Sequence, residues 1–176
     1  MNFLIFLIFL SFVALVDGSP MHSSCSEEKA RVSVCYDKFF PQTLNDFVSE
    51  QEMEEIRVAF DQFKECSGEL LCPRFASAAR IDEVKLEIQS RISPSYQCLK
   101  DNRLKEAYGV CGPSLIDSCD GADFTHCITE QLASQGECRP DDLDVFTSTA
   151  ELFSKLCSLN AEHNHKYHPD PMERWY

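Results

Sequence analysis

The sequence lacks the short motifs of the common hydrolases and redox proteins. It contains no Gly-x-Ser-x-Gly, which excludes a nucleophile elbow, and no His-Glu-x-x-His, which excludes that type of zinc helix. It also has no Cys-x-x-Cys, and its closest cysteines, Cys66 and Cys72, have five residues between them. Zinc sites and thioredoxin-like sites use closer pairs. We therefore expect a protein that is not an enzyme and needs no cofactor.

After its first residues the chain also lacks any hydrophobic run that is long enough to span a bilayer. The run from Met1 to Val16 carries no charged side chain, and Asp17, Gly18 and then Ser19-Pro20 end it. Val16 and Gly18 fit the small-residue positions of a signal-peptidase site. A membrane anchor is the alternative, but no basic stop-transfer cluster follows. Residues 1–18 are thus predicted to be a cleaved signal peptide, which makes the protein secreted and extracellular.

Basic residues are scarce, with 16 Lys and Arg against 29 Asp and Glu, for a net charge of −13. Cleavage after Gly18 removes one acid, Asp17, and no base, so the net charge becomes −12. This balance argues against nucleic acid and anionic membranes as partners. It favours solubility or an extracellular protein partner with a basic surface.

Cysteine, in contrast, is abundant, and all ten cysteines follow the predicted cleavage site. They are Cys25, Cys35, Cys66, Cys72, Cys98, Cys111, Cys119, Cys127, Cys138 and Cys157. An even number in an oxidising compartment predicts five disulfides. Eight cysteines allow 105 pairings, so ten allow 945, and the sequence does not choose among them.

Hydrophobic residues recur at helical spacing through residues 19–160. Examples are Met53, Ile56, Phe60 and Phe63, which follow a possible capping box of Ser49 and Glu52, and a second series of Ile81, Val84, Ile88 and Ile92. No alternating run with hairpin turns is present. The pattern predicts an all-α, disulfide-stapled bundle of about six short helices. We expect one of them to end at Gly112-Pro113.

The cysteine pattern resembles that of a known family. The string Phe60-Asp-Gln-Phe63-Lys-Glu-Cys66-Ser-Gly-Glu-Leu-Leu-Cys72, the string Tyr96-Gln-Cys98-Leu99 and the series Cys111, Cys119, Cys127, Cys138 are similar to the nematode secreted cysteine-rich helical family with a domain of unknown function. The resemblance covers residues 25–158. It implies an extracellular helical protein for interaction or matrix and brings no established activity.

Two local features are candidate sites. His163, His165 and His168 lie in a His-rich tail, residues 161–176, that we expect to be disordered, and imidazoles suit Zn²⁺ or Cu²⁺, although incidental histidines are the simpler interpretation. Ser67-Gly68, between two glutamates, has the local look of a glycosaminoglycan attachment site, although a helix end explains it more simply. Our hypothesis is a secreted, non-catalytic binding protein. A carrier of small apolar ligands and a matrix or proteoglycan core protein are the alternatives.

Overall fold

The computed structural model describes residues 20–40, 48–100, 103–136 and 138–167, and the side chains of residues 25 onward within them. The predicted signal peptide, residues 1–18, lies outside the described residues. The described part contains eight α-helical segments and one 3₁₀ turn, Ser93–Ser95, and no strand. The helices are α1 Pro20–Phe39, α2 Glu50–Ser67, α3 Pro73–Ile92, α4 Tyr96–Leu99, α5 Arg103–Ser118, α6 Gly121–Ser134, α7 Pro140–Ser148 and α8 Ala150–Tyr167.

Helices α1 and α2 form an N-terminal hairpin. The predicted capping box is present at the start of α2, where the Ser49 hydroxyl accepts a hydrogen bond from the backbone of Glu52 and the Glu52 carboxylate accepts one from the backbone of Ser49. Phe60 and Phe63 are buried between the helices, in a cluster that packs against Phe39, the last residue of α1, and Phe40, which follows it. Gly68, with φ of +63°, ends α2 as predicted, since a left-handed φ favours glycine.

Helix α3 packs against both the N-terminal hairpin and the larger C-terminal core. Its Leu86 packs against the buried residues of the N-terminal hairpin, while Val84, Ile88 and Ile92 belong to the larger core built by α4–α8. The predicted apolar stripe of α3 is thus confirmed as core.

The predicted end of a helix at Gly112-Pro113 was wrong, because α5 continues through Pro113 to Ser118. A proline inside a helix removes one hydrogen bond and crowds the carbonyl four residues earlier. Here that carbonyl belongs to Gly109, which has no side chain and is exposed, so water can replace the lost bond. Buried Cys111 and Leu115 hold α5 in the core on either side of the proline.

The expected disorder from Ala161 onward was also wrong for residues 161–167, because α8 extends to Tyr167. Leu156, Leu159, His163 and Tyr167 are all partly buried. Their spacing of three and four residues places them on one face of the helix. This buried face explains why α8 continues beyond Asn160, where the apolar pattern of the sequence stops. Residues 168–176 lie outside the described residues.

The all-α, disulfide-stapled fold class is confirmed. Among the helices of the described residues, none is both long enough and apolar enough to cross a membrane.

Candidate functional site: disulfides and a cleft between α3 and α8

All ten predicted disulfide cysteines are bridged. The pairs are Cys25–Cys72, Cys35–Cys66, Cys98–Cys138, Cys111–Cys127 and Cys119–Cys157. Their Cα–Cα distances run from 4.9 to 5.8 Å, which lies within the usual range for a disulfide. No free thiol remains for nucleophilic or redox chemistry.

The bridges divide the chain into two cystine units. In the N-terminal unit, residues 25–72, the Cys35–Cys66 bridge is nested inside Cys25–Cys72. In the C-terminal unit, residues 98–157, the Cys119–Cys157 bridge crosses the other two. No bridge joins the two units, and α3 is the helix between them.

A buried carboxylate supports the N-terminal unit. Glu28 of α1 is only 5% exposed, and its two carboxylate oxygens accept hydrogen bonds from the backbone amides of Leu71 and Cys72, at 3.0 and 3.1 Å. These amides immediately precede α3. A carboxylate at the start of a helix also interacts favourably with the helix dipole. Glu28 therefore ties α1 to the beginning of α3 beside the Cys25–Cys72 bridge.

Ser67 is not accessible for modification. Its side chain is 1% exposed, and its hydroxyl donates to the backbone carbonyl of Lys64 at 3.2 Å. A glycosyltransferase cannot reach a hydroxyl in this position on the folded protein. The candidate attachment site is therefore corrected to a buried helix-end serine, and the matrix hypothesis loses its one residue-level support.

The histidines of the predicted tail do not form a metal site in the described part of the chain. His163 and His165 are two residues apart on a helix, so they point to different faces. His163 Nδ1 lies 3.0 Å from the Ser77 hydroxyl, whereas His165 is exposed. His168 lies outside the described residues. The described residues contain no cluster of three or more His, Cys, Asp or Glu that could hold a metal ion.

The Ser77–His163 contact lies beside a cleft between the first turns of α3 and the last turns of α8. The cleft has a volume of about 240 Å³ and is partly open to solvent. It is lined by Pro73, Ala76, Ser77 and Arg80 from α3 and by Leu159, Glu162, Lys166 and Tyr167 from α8. Apolar groups from both helices thus share one concave surface with hydroxyl, cationic and anionic groups.

Most polar side chains of this cleft make no hydrogen bond or ion pair with one another. The Tyr167 hydroxyl is buried and has no hydrogen-bond partner among the described residues, although a buried hydroxyl normally has one. Arg80 makes no hydrogen bond or ion pair with another described residue, and the Lys166 ammonium lies 5.3 Å from the Tyr167 ring. Glu162 and Lys166 are one turn apart without an ion pair between them. These groups remain able to bind a ligand.

The buried aromatic rings, in contrast, pack on one another. Phe124 is fully buried, and its ring centroid lies 4.8 Å from that of Phe153 and 5.0 Å from that of Tyr108, both in edge-to-face geometry. In the N-terminal hairpin, the rings of Phe60 and Phe63 are tilted against each other, with their centroids 6.1 Å apart. These phenylalanines form core rather than the walls of an apolar cavity.

The sequence did not indicate the cleft, because one side of it lies in the last turns of α8. Leu159, Glu162, His163 and Lys166 recur at three- and four-residue steps, which is a helical face. That face becomes visible only when α8 is extended past Asn160. Ser77 and Arg80 are at least 79 residues away in sequence, and nothing in their local pattern pairs them with α8.

Comparison with protein-family models, with curated proteins and with solved structures finds no match to this chain.

Proposed function

We propose that this protein is a secreted, extracellular binding protein without catalytic activity, and that the cleft between α3 and α8 is its ligand site. The observation that carries the proposal is the buried, unpartnered Tyr167 hydroxyl in a cleft that also presents the uncommitted Arg80. A pocket that combines apolar walls with a few convergent polar groups is typical of ligand sites.

The five disulfides support the extracellular location, because bridges persist in oxidising compartments. They also hold the frame of the cleft. The N-terminal unit anchors the start of α3 at Cys72, the N-cap residue of the helix, and the C-terminal unit anchors α8 at Cys157. Membership of the nematode secreted cysteine-rich family and a protein partner with a basic surface both stay predictions.

The lining of the cleft is partly polar, which argues against a carrier of purely apolar ligands. A charged guanidinium, an ammonium and a carboxylate all border the same volume. A wholly apolar ligand would leave these groups and the Tyr167 hydroxyl without partners, which is unfavourable where they lose water.

The location is tested by the intact mass of the protein secreted from animal cells. A chain that begins at Ser19, about ten daltons lighter than its fully reduced form and unreactive to thiol labels, is expected from five bridges. Retention of residues 1–18 or labelled thiols would contradict the proposal.

The site is tested by ligand-observed nuclear magnetic resonance with a small fragment library. Ala76→Phe fills the cleft and is expected to abolish the binding of fragments that the native protein takes up. Ala133→Phe, at an exposed position of α6 outside the cleft, is the matched control and should leave the binding unchanged. A screen in which Ala76→Phe affects no fragment would refute the cleft as the ligand site.

A further inference from the structure

We infer that the cleft between α3 and α8 takes a small organic monocarboxylate, that is, a compact apolar or aromatic body bearing one carboxylate. This inference rests on the proposed function and names the ligand class for the same cleft. It follows from the sign of the local charge, from the hydrogen-bond donors, and from the size of the site.

The local charge has the opposite sign to the protein as a whole. The chain carries a net charge of −13, yet the cleft is lined by two cations, Arg80 and Lys166, and by a single acid, Glu162. A net excess of one positive charge matches a ligand with one negative charge. A ligand with more negative charge would face repulsion from Glu162 and from the net negative charge of the chain.

The donors suit a carboxylate. A guanidinium presents paired N–H groups that match the two oxygens of a carboxylate, and Arg80 has no acceptor among the described residues. The Tyr167 hydroxyl can donate to the ligand and would thereby gain the partner that it lacks. Lys166 contributes a second charge from the opposite helix, so the ligand is held from both α3 and α8.

The walls and the volume set the size of the ligand body. Pro73, Ala76, Leu159 and the ring of Tyr167 supply apolar surface. A cavity of about 150 Å³ holds one benzene molecule. The 240 Å³ of the cleft therefore accommodates one six-membered ring with a carboxylate.

The test compares benzoate with its neutral analogue benzamide on the full oxidised protein, with affinities from ligand-observed titrations at constant ionic strength. Benzoate is expected to bind about tenfold tighter, as for one charge-assisted hydrogen bond in a partly open site. Arg80→Gln should remove most of this preference, and Glu162→Gln should tighten benzoate binding. Arg80 and Glu162 are both exposed, so these variants are expected to keep the fold, which circular dichroism checks.

Lys155→Gln is the matched control, because Lys155 is an exposed cation on α8 outside the cleft and its loss changes the net charge by the same amount. It should leave benzoate affinity unchanged. An equal loss in Lys155→Gln and Arg80→Gln would overturn the inference in favour of general electrostatics. Equal binding of benzamide and benzoate, abolished by Ala76→Phe, would overturn the ligand class and leave the proposed site standing. If neither benzoate nor benzamide binds, while Ala76→Phe abolishes the binding of other fragments, the ligand class would likewise be overturned and the proposed site would stand.

Discussion

Gly121→Ala is expected to destabilise the protein strongly, because α6 begins in direct contact with α8. A Cβ at Gly121 would lie 1.9 Å from the backbone carbonyl oxygen of Ala150 and 2.7 Å from the Ser154 hydroxyl oxygen. The first contact is with backbone, so no side-chain rotation relieves it, and α6 must move by about 1.5 Å to reach an ordinary contact distance. The hydrogen bond from the Gly121 amide to the Ser154 hydroxyl, 2.8 Å long, would be lost as well.

The expected cost is about 1–3 kcal/mol for overpacking and about 1 kcal/mol for the hydrogen bond. At about 2–4 °C per kcal/mol for a domain of this size, Tm should fall by about 4–16 °C. Thermal unfolding of the oxidised protein, followed by circular dichroism, measures this.

The matched control is Gly109→Ala, at an exposed helical position where an added Cβ meets nothing within 4 Å. The same substitution there should stabilise the protein by about 0.5–1 kcal/mol, since alanine favours a helix over glycine. A Tm for Gly121→Ala equal to that of the native protein would refute the close approach of α6 and α8.

Three further outcomes are expected. Glu28→Gln should lower the free energy of unfolding at pH 7 by about 1 kcal/mol in urea titrations, because it weakens the hydrogen bonds from the Leu71 and Cys72 amides; no loss would mean that Glu28 is not a structural acid. The Arg139 side chain lowers the pKa of Asp142 by hydrogen bonding, so the stabilisation is present above the unfolded pKa of about 3.9 and disappears as the pH falls through the folded value. Asp142→Asn should therefore reduce Tm at pH 7 but have progressively less effect below about pH 4, and a pH-independent effect would contradict this linkage. Ser67→Ala should not change the glycan mass of the secreted protein, because the Ser67 hydroxyl is buried. Loss of a chondroitinase-sensitive species in this variant would show that the hydroxyl is modified before it is buried.

The sequence predicted those elements whose signals are local. The capping box of Ser49 and Glu52, the apolar stripes of α2 and α3, and the glycine end of α2 at Gly68 all follow from neighbouring residues, and the structure confirms them. Pro113 misled the prediction, because its effect depends on whether the carbonyl of Gly109 can reach water. That is a property of the exposed face of α5 and not of the proline itself.

The cleft could not be predicted, because neither the α3 residues nor the α8 residues form a recognisable binding motif by themselves. Ser77 and Arg80 read as ordinary polar positions of α3, and His163 and Lys166 as part of a polar tail. Only the packing of α3 against α8 brings them together, and only that packing explains why residues 161–167 are helical. The disulfide pairing was equally open from the sequence, since it depends on which helices become neighbours.

The separation of the bridges into two units bears on how the chain could mature. A secreted chain enters the oxidising lumen from its N-terminus, so the four cysteines up to Cys72 would emerge before Cys98. Each native bridge of the first group is complete within that group. Four cysteines allow three pairings and six allow fifteen, so oxidation in order of emergence faces 45 combinations instead of 945. For a chain that is secreted as proposed, translocation would therefore favour this connectivity.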